Sequence, residues 1–147
     1  MDLDETLVHS SFRPVEGFDI QIEVNIEGKI HPVYVNNRPG HHEFLEQLST
    51  YYELVIFTAS LAKYANPLLD KLDPLGFIDY RLFRDSCSTY RGAFVKDMAR
   101  LGRDLSNVII IDNSPMSFFF QPENAILSKS WFEDRECRDL FKLIPLL

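Results

Sequence analysis

Cysteine is scarce in this 147-residue chain: Cys87 and Cys137 are the only two. So few thiols, so far apart, exclude a disulfide framework and a cysteine-built zinc site, and free thiols in a reducing compartment are expected. Long apolar runs are missing as well, so no stretch reads as a membrane-spanning helix. No cationic-then-apolar leader opens the sequence, and secretion is not expected. Positive charge is short: 15 Lys and Arg stand against 22 Asp and Glu, for a net charge of −7. That balance excludes a general grip on nucleic acid, which needs clustered cations against phosphates. A phosphate-bearing ligand would have to be met locally, by a metal ion and a few placed cations.

What is present is the composition of a soluble globular protein, 46% hydrophobic and 25% charged, at a length that fits one domain spanning residues 1–147. Twelve Phe and six Tyr are a heavy aromatic load. They fit a tight core or an apolar recognition surface. Ile20, Ile22, Val24 and Ile26 alternate with polar residues, Glu27-Gly28-Lys29 signals a turn, and Val33-Tyr34-Val35 resumes. This predicts an antiparallel hairpin inserted over about residues 16–36.

After Arg38-Pro39-Gly40, the spacing of Phe44, Leu45, Leu48 and Tyr52 predicts a helix over about 40–51. Glu53–Thr58 reads as a buried strand, and Leu61 to Leu72 as a second helix that Pro67 should kink. Tyr80–Arg84 and Val108–Asp112 read as strands, Ala125–Leu127 as a weaker one, with helices expected over about 96–102 and 135–144. Strands alternating with helices imply an α/β fold, a parallel sheet flanked by helices.

The chemistry is concentrated at strand ends. In Asp2-Leu3-Asp4-Glu5-Thr6, two carboxylates sit two residues apart, on one side of an extended backbone. Such a pair is relieved by a divalent cation, by a shared proton or by a division of roles. A merely solvated acidic stretch is the plain alternative. Thr58-Ala59-Ser60 and Asp112-Asn113-Ser114 end two other predicted strands. Ligands of open α/β sheets bind beyond the carboxyl ends of strands, where these three stations would meet.

With those stations placed, the sequence resembles the aspartate-nucleophile phosphatases of the haloacid dehalogenase superfamily. The match rests on Asp2-x-Asp4-x-Thr6, Thr58, Lys96 and Asp112-Asn113. It narrows at Asp2–Phe12, Phe57–Ala65, Leu82-Phe83-Arg84, Val95-Lys96-Asp97, Asp112–Pro115 and Ser130-Trp131-Phe132 to the small phosphatases of the RNA polymerase II C-terminal domain. The first strand is clipped in comparison.

The resemblance implies a Rossmann-like fold and a Mg²⁺-dependent serine/threonine protein phosphatase working through an aspartyl-phosphate. It makes Asp2 the nucleophile and Asp4 the general acid and base, with Thr58 and Lys96 holding the phosphoryl group. Mg²⁺ would be held by Asp2, the Asp4 carbonyl and Asn113, with Asp112 bound to it or supporting it. Phe12, Val24, Ile26, Val33 and Leu61 match positions lining an apolar pocket for a proline near the phosphoserine, and Arg84 and Tyr64 a peptide-binding rim. The implied substrate is a Ser-Pro-rich tail such as that of RNA polymerase II, in the nucleus. Two rivals stand beside this: a phosphatase for another phosphoprotein, and a non-catalytic binding module of the same fold, which would lack the full motif set. His31, His41, His42, Cys87, Phe118-Phe119-Phe120 and Trp131 read as structural.

Overall fold

Met1–Leu3 runs between two pairs of parallel strands and stitches them together. In the computed structural model, which describes residues 1–147, β4 (Val55–Phe57) pairs in parallel with β5 (Tyr80–Leu82), and β8 (Ile110–Asp112) with β9 (Ala125–Leu127). The Met1 amine donates to Val55 O at 2.6 Å, Phe57 N to Met1 O at 2.9 Å, and Asp2 N to Ile111 O at 2.9 Å. The opening residues thus occupy the centre of a parallel arrangement, and Asp2, Thr58 and Asp112 all emerge at its carboxyl end. This is the α/β architecture expected.

Helices α1 (His41–Ser49) and α2 (Ala62–Leu72) flank the sheet, and α3 (Asp139–Leu143) follows β9. Phe44, Leu45 and Leu48 on α1, and Ala65, Leu68, Leu69 and Leu72 on α2, are the buried stripes that the helical spacing called for. At roughly 1.5–3 kcal/mol per fully buried large side chain, these stripes are what hold the helices in place. Helix α2 continues through Pro67. Gly40 precedes α1 with φ 84°, and a Cβ there would stand 2.7 Å from the Phe141 ring, so glycine is required on both counts.

The predicted hairpin is β2 (Ile20–Ile26) and β3 (Lys29–Asn37), turning through Glu27 and Gly28 at φ 52° and 80°. A third antiparallel strand, β1 (Val8–Ser11), completes a separate sheet in the order β1-β3-β2. Ile20, Ile22, Val24, Val33 and Val35 join Leu3, Phe44, Ile56, Leu68 and Ile111 in one buried cluster, so hairpin and body share a core.

Two expectations change. The helix foreseen over 96–102 is only a 3₁₀ turn, Met98–Arg100, begun by Asp97 accepting from Ala99 N at 3.1 Å. A second hairpin, β6 (Ser88–Tyr90) and β7 (Ala93–Val95), precedes it. β6 and β7 show neither a long alternation nor the longer apolar run that marks the equally short β4 and β8.

Candidate active site

The chain turns sharply as soon as Asp2 has left the sheet. Leu3 O accepts from Leu7 N at 2.9 Å, and Glu5 takes a left-handed φ of 59°. The turn brings the Thr6 hydroxyl back to donate to Asp2 Oδ2 at 3.0 Å. The other oxygen, Oδ1, accepts from Lys96 Nζ at 2.7 Å, and the same ammonium donates to Asp112 Oδ2 at 2.6 Å. Asp2, Lys96 and Asp112 are 6%, 2% and 1% exposed, which makes this a buried charge bridge. Burial pushes the Asp2 carboxyl above its ordinary range, against the pull of Lys96. Burial alone would lower Lys96, but the two carboxylates outweigh it and hold the ammonium above its ordinary value.

Asp4 has different surroundings. Its Oδ2 accepts from Ser60 Oγ at 2.8 Å and from Thr58 Oγ1 at 3.3 Å, and its Oδ1 accepts from Tyr64 OH at 2.6 Å. Burial first, then the Asp4 charge, pushes the Tyr64 phenol up, so it stays a donor. Two carboxylates two residues apart therefore have opposite environments: one faces a buried cation, the other a set of hydroxyls. Glu5 directly follows Asp4 in sequence, and burial, reinforced by Asp4 and Asp2, raises it to about 7.

Asn113 turns its amide nitrogen to Ser130 Oγ at 2.9 Å, directing Oδ1 away from that contact. The Asp4 carbonyl takes no hydrogen bond from the chain. Two aspartates share a single lysine here, a third is held by hydroxyls, and the donors left for a cation are all hard oxygens. That set fits Mg²⁺, whose charge would hold Asp2 ionised despite its burial.

Other expected residues are distributed unevenly. Asp112 meets Lys96, with its second oxygen on Ser114 N at 2.9 Å, so it supports the site through the lysine. Thr58 gives its hydroxyl to Asp4. Tyr64, expected at a peptide rim, is bound to Asp4 instead. Val24 and Val33 are 4% and 2% exposed, part of the core and not of an open pocket wall. Ile26 is half-buried, while Phe12 and Leu61 are 62% and 42% exposed. The reason is register: Val33 pairs with Ile22, so it shares the inward face of the sheet, which α2 covers. Arg84 is exposed, donating Nε to Ala59 O at 2.6 Å.

Ser60, Ser10 and Ser130 lie in stretches singled out from the sequence without a role of their own, and Arg38 reads there only as part of the Arg38-Pro39-Gly40 break. Ser60 lies two residues past Thr58, a signal that was available. Arg38, 1% exposed, donates to Thr6 O and Ser128 Oγ, both at 3.1 Å, and to Asp139 Oδ2 at 3.2 Å, clamping the aspartate turn to the C-terminal segment. A cavity of about 600 Å³ lies between the amino ends of β4 and β8, lined by apolar residues such as Leu54, Val55 and Ile109. It contains none of these carboxylates.

Comparison with known proteins shows the family and the fold. Residues 1–147 match the family described as NLI interacting factor-like phosphatase. The sequence is 57% identical over 147 residues to a probable C-terminal domain small phosphatase of Dictyostelium discoideum, covering 100% of this chain and 48% of that protein. It is 55% identical over 145 residues to the CTD small phosphatase-like protein of Homo sapiens, covering 99% and 52%. The chain thus spans about half the length of the curated relatives it matches. The fold is similar to that of the fission yeast RNA polymerase II CTD phosphatase Fcp1 bound to beryllium fluoride, with TM-score 0.75 and 27% identity over 88% of this chain and 40% of that one. A second Fcp1 structure, at 24% identity, gives TM-score 0.77 over 99% of this chain and 48% of the other, a likeness of fold.

Proposed function

This chain belongs to the NLI interacting factor-like phosphatase family, and we propose that residues 1–147 act as one phosphatase domain that hydrolyses phosphoserine or phosphothreonine in a protein tail. The observation that carries this reading is the split environment of the two carboxylates. Asp2 is aligned by Thr6 and Lys96 and is the nucleophile. Its oxygen attacks phosphorus, the serine oxygen leaves, and an aspartyl-phosphate forms. Asp4, held by Thr58, Ser60 and Tyr64, gives its proton to the leaving oxygen. It then takes one from the water that attacks the aspartyl-phosphate, releasing inorganic phosphate and restoring Asp2.

Lys96 offsets the charge that gathers on the phosphoryl oxygens as well as that of Asp2. Thr58, already at the strand end beside Asp4, is placed to turn its hydroxyl to a phosphoryl oxygen. Asp2, the Asp4 carbonyl and Asn113 would hold Mg²⁺, which supplies charge neutralisation and orientation of the phosphate.

Relatives named as RNA polymerase II C-terminal domain small phosphatases, 52–53% identical to this chain, support a Ser-Pro-rich tail of that polymerase as substrate, and with it a nuclear setting. Phe12 and Leu61, both exposed, and the half-buried Ile26 are the apolar side chains available to the proline, while Val24 and Val33 belong to the core.

The test is turnover of an aryl phosphate and of phosphoserine-proline peptides, with Mg²⁺ and with chelator. The wild type should turn over both only with the metal, and Asp2→Asn should turn over neither. A folded wild type without activity would favour the non-catalytic module.

A further inference from the structure

Beside the site lies an exposed aromatic face that the proposed chemistry leaves unused. Tyr90 stacks on Phe119 with ring centroids 5.1 Å apart and meets Phe120 edge-on at 5.6 Å. Phe94, Phe119 and Phe120 are 43%, 49% and 40% exposed. Two guanidiniums lie over these rings, Arg91 over Tyr90 and Arg84 over Phe94, each 5.2 Å from the centroid. Neither arginine forms an ion pair with a carboxylate. Arg91 makes no hydrogen bond through its side chain, and Arg84 makes only the one from Nε to Ala59 O. Cross-strand pairing sets Tyr90 beside Ala93 and Phe94 beside Thr89, so Arg91 belongs to the Tyr90–Phe119–Phe120 face and Arg84, with Phe94, to the reverse side of the hairpin. In a chain of net charge −7, two unpaired arginines on one hairpin are a local reversal of sign.

The hairpin is continuous with the site at three places, two on the side of the aromatic face and the third through Arg84 on the reverse side. Strand β7 ends at Val95, next to Lys96, so its hairpin rises directly from the buried ammonium. The turn that carries Phe119 and Phe120 begins at Pro115, two residues beyond Asn113. Arg84 holds the carbonyl of Ala59, the neighbour of Thr58. Arg91 sits at the hairpin tip with φ 51°, five residues before Lys96. At about 3.3 Å per extended residue, tip and ammonium are on the order of 15 Å apart along the strand. A bound extended peptide covers that distance in about five residues.

We propose that this face docks the acidic, extended continuation of the phosphorylated substrate tail, with Arg91 meeting a second anionic group about five residues from the phosphoserine in the site. The inference rests on the phosphopeptide reading above and names what that substrate must carry. Charge complementarity selects the occupant, because an acidic segment is repelled by most of this chain and met here by the unpaired Arg91. The exposed rings offer apolar contact to prolines or aromatic residues between the two anionic groups.

Three peptides test it: a short one with a single phosphoserine, a long one with a second phosphoserine about five residues away on either side, and the long one with alanine there. The wild type should favour the doubly phosphorylated peptide by about three- to tenfold in kcat/KM, an advantage that shrinks with salt. Arg91→Glu should abolish that preference while leaving turnover of the short peptide and the melting temperature unchanged. Binding of the long peptide to Asp2→Asn protein, read by fluorescence anisotropy with and without Arg91→Glu, measures docking independently of turnover. If no phosphopeptide is turned over but binding still depends on Arg91, the catalytic reading fails and the docking face stands. Equal effects of Arg91→Glu on short and long peptides, no effect on either, or stronger Arg91-dependent binding of single-stranded RNA than of the peptide would each overturn the inference.

Discussion

The hydroxyl of Tyr64 donates to Oδ1 of Asp4 across 60 positions of sequence, at 2.6 Å. A phenol has one proton, so the adjacent Ser10 hydroxyl must in turn donate to Tyr64. Tyr64 thereby orients the acid and base group of the proposed reaction. A hydrogen bond to a charged group is worth roughly 1.5–3 kcal/mol. Tyr64→Phe should therefore lower kcat on an aryl phosphate about tenfold or more, with little change in KM. A variant impaired only on peptides would return Tyr64 to the substrate rim.

Lys96 bridges two carboxylates that are otherwise buried side by side. Lys96→Met should cost about 3–5 kcal/mol of stability in urea, the penalty for stranding buried charge. Adding Asp112→Asn to that variant should restore part of the loss. A double variant no more stable than the single would show that repulsion between Asp2 and Asp112 is not its source.

Two groups pull the pH dependence in opposite directions. Burial holds His41 below its ordinary 6.5, so the folded protein binds fewer protons there and stability is lost as pH falls below that value. Glu5 is raised from 4.5 to about 7, so the folded protein binds more protons and stability is lost as pH rises through that window. Urea midpoints in the presence of chelator separate the two. Relative to wild type, His41→Gln should gain as pH falls below 6.5, and Glu5→Gln as pH rises from 4.5 to about 7. Parallel difference curves would contradict the assignment.

Arg38 holds the aspartate turn from behind with a planar fork that lysine cannot reproduce. Arg38→Lys should cost about 3 kcal/mol, lowering the melting temperature by roughly 6–12 °C. Its one ionic partner, Asp139, is 41% exposed. Asp139→Asn should therefore cost much less, and equal losses would place the clamp in the ion pair alone.

The hairpin residues should divide by exposure. Phe12→Ala and Leu61→Ala should reduce kcat/KM on phosphoserine-proline peptides while sparing the aryl phosphate and the fold. Val24→Ala and Val33→Ala should instead cost about 1–3 kcal/mol in denaturant midpoints, as deletions from a packed core do. Loss of peptide selectivity from the valines without loss of stability would make them pocket walls after all.

Local signals were the ones that could be read in advance. The alternation over Ile20–Ile26, the apolar stripes of α1 and α2, and the short parallel strands each follow from residues adjacent in sequence. The strands β6 and β7 and the 3₁₀ turn at Met98–Arg100 carry neither a visible period nor an apolar run as long as those of β4 and β8. Placing Asp2, Thr58 and Asp112 at one sheet edge required only that these strands be parallel.

The sequence by itself determined that two carboxylates leave a strand together, and that a threonine and an Asp-Asn pair end its neighbours, because strand periodicity is a property of consecutive residues. Only the tertiary structure decided which partner each one has. Lys96 reaches Asp2 from 94 residues away, and Arg38 reaches Asp139 from 101. Tyr64 turns to Asp4, and Val24 and Val33 turn inward under α2. Those choices depend on how separate elements pack, which is where burial sets the cost of leaving a charge or a hydroxyl without a partner.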